Sequence, residues 1–129
     1  MILIGDENIE CKAIQKIRSI NDISTTLPNC TLLYPFDFEM LRYTQKNNLD
    51  SAIIVSNLKE VIYAASFIAK YIILDKNIAK QAQNIADNYM FDSKILVIIE
   101  TNDEIVSHAL DEIDGVIYKE VIENGYKRK

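Results

Sequence analysis

The chain has 129 residues, 49% hydrophobic and 26% charged, with a formal net charge of −5 and a pI near 4.8. That describes one globular domain, large enough to bury a core without disulfides or a structural metal, and outside the compositional range of disorder. The acidic balance argues against nucleic-acid binding, which draws its affinity from Lys and Arg on phosphates. No apolar run approaches the roughly 18 residues of a membrane span, so no membrane partner is expected.

Residues 1–4 form an apolar run that reads as a first strand, and Asp6-Glu7 follows without a basic n-region or a small-residue cleavage site. The expectation is a cytoplasmic protein with no signal peptide. Gly5-Asp6-Glu7-Asn8 makes a turn, and Ile9, Ala13, Ile14 and Ile17 then recur at helical spacing, predicting a first helix. Residues 21–29 are polar and read as a loop. Thr31-Leu32-Leu33-Tyr34 is a short strand stopped by Pro35. Asp37 caps a helix running to Asn47, with Phe38 and Leu41 inward.

Four apolar runs follow, starting at positions 52, 71, 95 and 116, which are 19, 24 and 21 residues apart. Each interval fits one strand–helix unit, and continuous β-branched runs are the mark of strands buried on both faces of a parallel sheet. Asn57 with Glu60, and Thr101 with Glu104, have capping-box spacing at two of the intervening helices. The helix before the last strand is expected to turn Ile105, Val106, Ala109, Leu110 and Ile113 inward. Gly115 suits the left-handed position at its end. The predicted fold is therefore α/β: a doubly wound, flavodoxin-like, mostly parallel sheet of five to six strands with helices on both faces. The domain spans 1–122, and 123–129 is a flexible tail with the basic cluster Lys127-Arg128-Lys129.

Ala69-Lys70-Tyr71-Ile72-Ile73-Leu74-Asp75 and Ile113-Asp114-Gly115-Val116-Ile117 also resemble repeats of phosphate-binding (β/α)₈ barrels. A rival architecture is thus a barrel fragment, since 129 residues fall short of the ~200 of a full barrel.

Ligands of open α/β sheets bind beyond the carboxyl ends of the strands. The candidate ligand-binding residues there are Asp6, Glu7, Ser56, Asn57, Asp75, Thr101 and Lys119. Hard cations take carboxylate oxygens, so Mg²⁺ is the metal such an edge would hold, through Asp6 and Asp75. Beyond that no cofactor is expected. An acidic pair after the first strand, an Asp ending a central strand, a Thr ending a later one and a Lys ending the last resembles response-regulator receiver domains. That resemblance implies a metal on Asp6 and Glu7, a phosphoryl-accepting Asp75, and contacts to the phosphoryl group from Thr101 and Lys119. An additional strand–helix unit between Asp6 and Asp75, and Glu120 where receivers have Pro, depart from that pattern.

Asp6, Asn57, Asp75 and Thr101 are also residue types that cap helices. The three glycines form no phosphate-cradling motif, and neither the single histidine, His108, nor Cys11 or Cys30 has metal-site or redox spacing. Both cysteines read as small buried or half-buried hydrophobes. Tyr63 and Phe67, four apart on one helix, form a candidate interface stripe. The leading expectation is a regulatory or protein-interaction module without catalysis, engaging a protein partner or a second copy of itself as a homodimer. The alternative is a receiver-like or phosphate-ligand-binding domain with a metal-assisted acidic edge.

Overall fold

The computed structural model describes residues 1–127 of the chain. Seven parallel strands form one curled sheet: β1 (Ile2–Ile4), β2 (Ile14–Lys16), β3 (Thr31–Pro35), β4 (Ser51–Ile54), β5 (Tyr71–Leu74), β6 (Lys94–Ile99) and β7 (Gly115–Tyr118). Five helices accompany them: α1 (Phe38–Lys46), α2 (Leu58–Ser66), α3 (Lys76–Asn88), α4 (Ile105–Leu110) and α5 (Lys119–Asn124). The strand order is β1-β7-β6-β5-β4-β3-β2. From β2 to β7 each strand adds beside its predecessor in one direction, and β1 and β2 are the two edges.

The α/β class and the parallel sheet are as the apolar runs predict, but there are seven strands, not five to six. The additional strand is β2. It replaces the first helix predicted from Ile9, Ala13, Ile14 and Ile17. Four apolar residues at helical spacing nucleate no helix here, because Ile14–Lys16 has a parallel partner in Thr31–Leu33. A short helix gains little from its own backbone, and sheet pairing wins. The polar stretch that follows winds into a 3₁₀ turn, Ile20–Thr25.

Alternation along the strands divides the core in two. On the outer face Leu32, Tyr34, Ile53, Ile72, Leu74, Ile95, Val97 and Val116 are buried under α1 to α4 through Met40, Leu41, Val61, Ala64, Ala79, Ala82, Ala86 and the half-buried Ile105. On the inner face Ile4, Ile14, Leu33, Ala52, Ile73, Leu96 and Ile117 pack with Val121 of α5. Helices therefore lie on both faces, four outside and one inside. Small Ala side chains on α3 let that helix sit close to the sheet.

One device ends α1, α2, α3 and α4 alike. Asn48, Ile68, Met90 and Glu112, each two residues past its helix, adopt φ of 54°, 61°, 52° and 61°. The following residue donates its amide five positions back in every case: Leu49 to Thr44, Ala69 to Ala64, Phe91 to Ala86, and Ile113 to His108. This is the Schellman closure, and its usual hydrophobic contact is present because all four donors pack into the outer core. The left-handed residue before β7 is thus Glu112, not Gly115. Gly115 lies in β7 and serves close approach, since a Cβ there would stand 2.6 Å from Ile2 Cβ.

Two further expectations change. Val106, Ala109 and Leu110 of α4 are exposed, while Ile105 and His108 are half-buried. The helix is entered through a 3₁₀ turn, Asn102–Glu104, whose tighter winding shifts the phase of the apolar stripe. The tail expected from residue 123 starts later. Glu123 and Asn124 belong to α5, and Tyr126 pairs antiparallel with Ile14. Arg128 and Lys129 of the predicted basic cluster lie outside the described residues. Among the described residues no helix is long and apolar enough to cross a membrane.

Candidate functional site

The carboxyl ends of β1, β7, β6 and β5 stand side by side, carrying Asp6, Lys119, Glu100 and Asp75 in that order. Adjacent strands are about 4.8 Å apart, so Asp6 and Asp75 are separated by three spacings, roughly 14 Å. The two carboxylates proposed as joint metal ligands do not meet. No group of three or more His, Cys, Asp or Glu side chains able to hold a metal occurs among the described residues.

The edge divides into two neighbouring cavities. The larger, about 580 Å³, is lined by Asp75, Lys76, Asn77, Ile98, Glu100, Glu104, Lys119, Ile122 and Glu123. Here Asp75 and Lys119 come together. Lys119 Nζ lies 3.7 Å from Glu100 Oε1, with both side chains more than half exposed. Asp75 occupies the N-cap position of α3 but makes no side-chain cap bond. The smaller cavity, about 300 Å³, holds Asp6 and Glu7 with Asn8, Asn102, Tyr118 and Glu120. Asp6 is engaged twice: Asn8 N donates to Oδ1 at 2.8 Å, and the Tyr118 hydroxyl donates to Oδ2 at 3.1 Å. Partial burial and that bond, with the charges of Asp6, Glu7 and Glu104, push the Tyr118 phenol above its ordinary pKa.

The remaining candidates are occupied in caps. Asn57 Oδ1 accepts from Glu60 N at 2.9 Å, and Glu60 Oε1 accepts from Ser56 N and the Ser56 hydroxyl. Thr101 caps the 3₁₀ turn opposite Glu104, whose Oε2 accepts from Thr101 N and Glu100 N. Those two backbone donors hold the Glu104 carboxyl below its usual pKa. Capping-box spacing identified both groups correctly as caps. Asn77, Ile122 and Glu123 also line the larger cavity, and no local pattern in the sequence marks them. Ile122 and Glu123 belong to α5, a six-residue helix with no caps to announce it.

Tyr63 and Phe67 lie in an aromatic group between α1 and α2. Phe38 is 5.0 Å from Tyr63 and 6.3 Å from Phe67 between ring centroids, and Phe36 is 5.0 Å from Phe38. Their contacts are intramolecular, although Tyr63 keeps an exposed edge.

A different apolar surface lies at the amino ends of the strands. Where α2, α3 and α4 end, Ile68 is 68% exposed, Tyr89 74%, Met90 85% and Leu110 79%. α2 packs on α3, so Ile68, Tyr89 and Met90 form a row at two neighbouring helix ends, whereas Lys80, in the first turns of α3, donates to the Asp111 carbonyl just past α4 at 2.9 Å and so sets Leu110 beside the other end of α3. The signal was present in the sequence as the two residues preceding the apolar–polar pair before each strand: Phe67-Ile68 and Tyr89-Met90.

No protein-family model matches this chain, and no curated protein matches it.

Proposed function

We propose that the protein is a non-catalytic α/β interaction module that self-associates through the row formed by Ile68, Tyr89 and Met90. The observation that carries this reading is Ile68. A β-branched side chain in the left-handed region is a conformational outlier that costs about 1–2 kcal/mol, and with 68% of its surface in solvent it recovers little of that within the chain. Met90 repeats the case with φ of 52° and 85% exposure. Costly conformations persist where function needs the side chain, and an apolar side chain held outward suits an apolar counterpart.

A second copy is the partner that the surface fits. The two helix ends lie side by side at the usual 8–10 Å interhelix distance, and a two-fold contact would set the same apolar row of each copy against the other. Close in sequence to these residues stand Lys70 and Lys94 with Asp87 and Asp92. That balance allows two-fold pairing without the repulsion expected from a net charge of −5. Sedimentation velocity from 5 to 200 µM tests the reading. A concentration-dependent dimer that Met90→Glu and Tyr89→Glu convert to monomer supports it, and a wild-type monomer throughout the range rejects it.

A second reading rests on the 580 Å³ cavity, where Asp75 and Lys119 converge beside the start of α3. It is a small phosphate-bearing ligand held there, with Mg²⁺ as the companion cation. Amide NMR with Mg²⁺, inorganic phosphate and beryllofluoride tests it. Shifts confined to Asp75, Lys76, Glu100 and Lys119 support it, and a flat titration removes it.

A further inference from the structure

We infer that residues 119–126 form a detachable strap that closes the inner face of the curled sheet, opening as one unit while the seven strands stay paired. β7 runs directly into α5, which turns across the inner face. The segment ends by bridging the opposite edge of the sheet, with Ile14 N donating to Tyr126 O and Tyr126 N donating to Ile14 O, both at 2.8 Å. β2 pairs only with β3 within the sheet, so this bridge is what covers its free side. The strap thus spans from β7, at one side of the curl, to the far edge strand.

Its attachment is thin. Val121 is its one buried side chain, and Ile122 and Tyr126 are partly buried in the inner core. α5 has no side-chain cap at its start, and its end is held by Gly125 N donating to Val121 O at 2.7 Å. Lys119 adds only the exposed pair with Glu100. The strands beneath are of another kind: Leu33, Ala52, Ile73, Leu96 and Ile117 are wholly buried and paired on both sides. Segments with few buried contacts open at a fraction of the global unfolding free energy.

The strap also partitions space. The 580 Å³ cavity lies on one flank, and a second of about 210 Å³, lined by Ile14, Lys16, Leu27, Asn124 and Tyr126, lies on the other. Glu123 lines both, so release of the strap joins them over the inner core. Gly125 is the latch. Its φ of 74° and ψ of −175° lie in a region open essentially to glycine alone, and a Cβ there would stand 2.8 Å from the Ile14 carbonyl oxygen.

Native-state amide exchange on the full chain tests the strap, with wild type and Gly125→Ala compared. The expected result is that the Tyr126 and Ile14 amides exchange together, at least ~100-fold faster than those of Leu33, Ile73 and Leu96. Gly125→Ala should accelerate the first pair by a further ~10-fold or more and leave the strand amides unchanged. Exchange of Tyr126 and Ile14 at the rate of the strand amides in wild type would overturn the proposal. So would a Gly125→Ala variant in which all five amides accelerate equally, because the strap would then belong to the global folding unit.

Discussion

Gln83, buried on α3, accepts from the Asp114 amide through Oε1 at 2.9 Å, and joins the helix to the turn that feeds β7. Its other end donates to Asp87 Oδ1 at 3.0 Å, while Asp114 Oδ2 accepts from Ile95 N at 2.9 Å. One amide thus fixes α3, the last αβ turn and β6 relative to one another. Replacing Gln83 by Leu leaves the part-buried Asp114 N–H without this acceptor, a loss of about 1 kcal/mol. Urea denaturation should show a lower midpoint with an unchanged slope, and an unchanged midpoint would mean that the amide contributes nothing net.

Ile68 gives a prediction of opposite sign. Ile68→Asn places a residue tolerant of the left-handed region at φ 61°, and should stabilise the monomer by about 1 kcal/mol. The same change should weaken self-association, since it removes an apolar side chain from the row. Denaturation at low micromolar concentration and sedimentation at high concentration read the two effects separately. A monomer no more stable than wild type would show that this helix end carries no strain.

Asp50 ties the segment before β2 to the middle of the sheet. Its Oδ2 accepts from Lys12 Nζ at 2.8 Å and lies 3.6 Å from Lys70 Nζ, and the Lys12 bond leads in holding its pKa below the ordinary carboxylate value. A carboxyl with a depressed folded pKa contributes stability that is complete above the unfolded value, near 3.9. That stability is lost as pH falls through the lower folded value. The groups are about two-fifths exposed, so the contribution is at most about 1 kcal/mol. Comparing wild type with Asp50→Asn from pH 7 to pH 2 should show the stability gap closing only in the acid range.

Thr31 Oγ1 is buried without a hydrogen-bond partner among the described residues. Thr31→Val keeps the shape and removes the unpaired hydroxyl, and should raise stability by about 1 kcal/mol. Thermal unfolding measures it. A loss instead would show that the hydroxyl has a partner in solution that the side chain's surroundings conceal.

Periodicity along the chain determined six of the seven strands, because a buried parallel strand must be apolar at nearly every position, and Ile72-Ile73-Leu74 or Ile95-Leu96-Val97 could be little else. Capping boxes were legible for the same local reason: Asn57 with Glu60 and Thr101 with Glu104 act within one turn of chain. What the chain could not state locally was left to tertiary contact. Whether Ile14 continues a helix or joins β3 depends on a partner 17 positions away at Thr31. The separation of Asp6 from Asp75 was set by strand order, which places β7 and β6 between their strands. The outward display of Ile68 and Met90 followed from where each helix had to stop for the next strand to begin. Local pattern fixes which residues are buried in an element, and only the packing of elements decides which side chains meet across it.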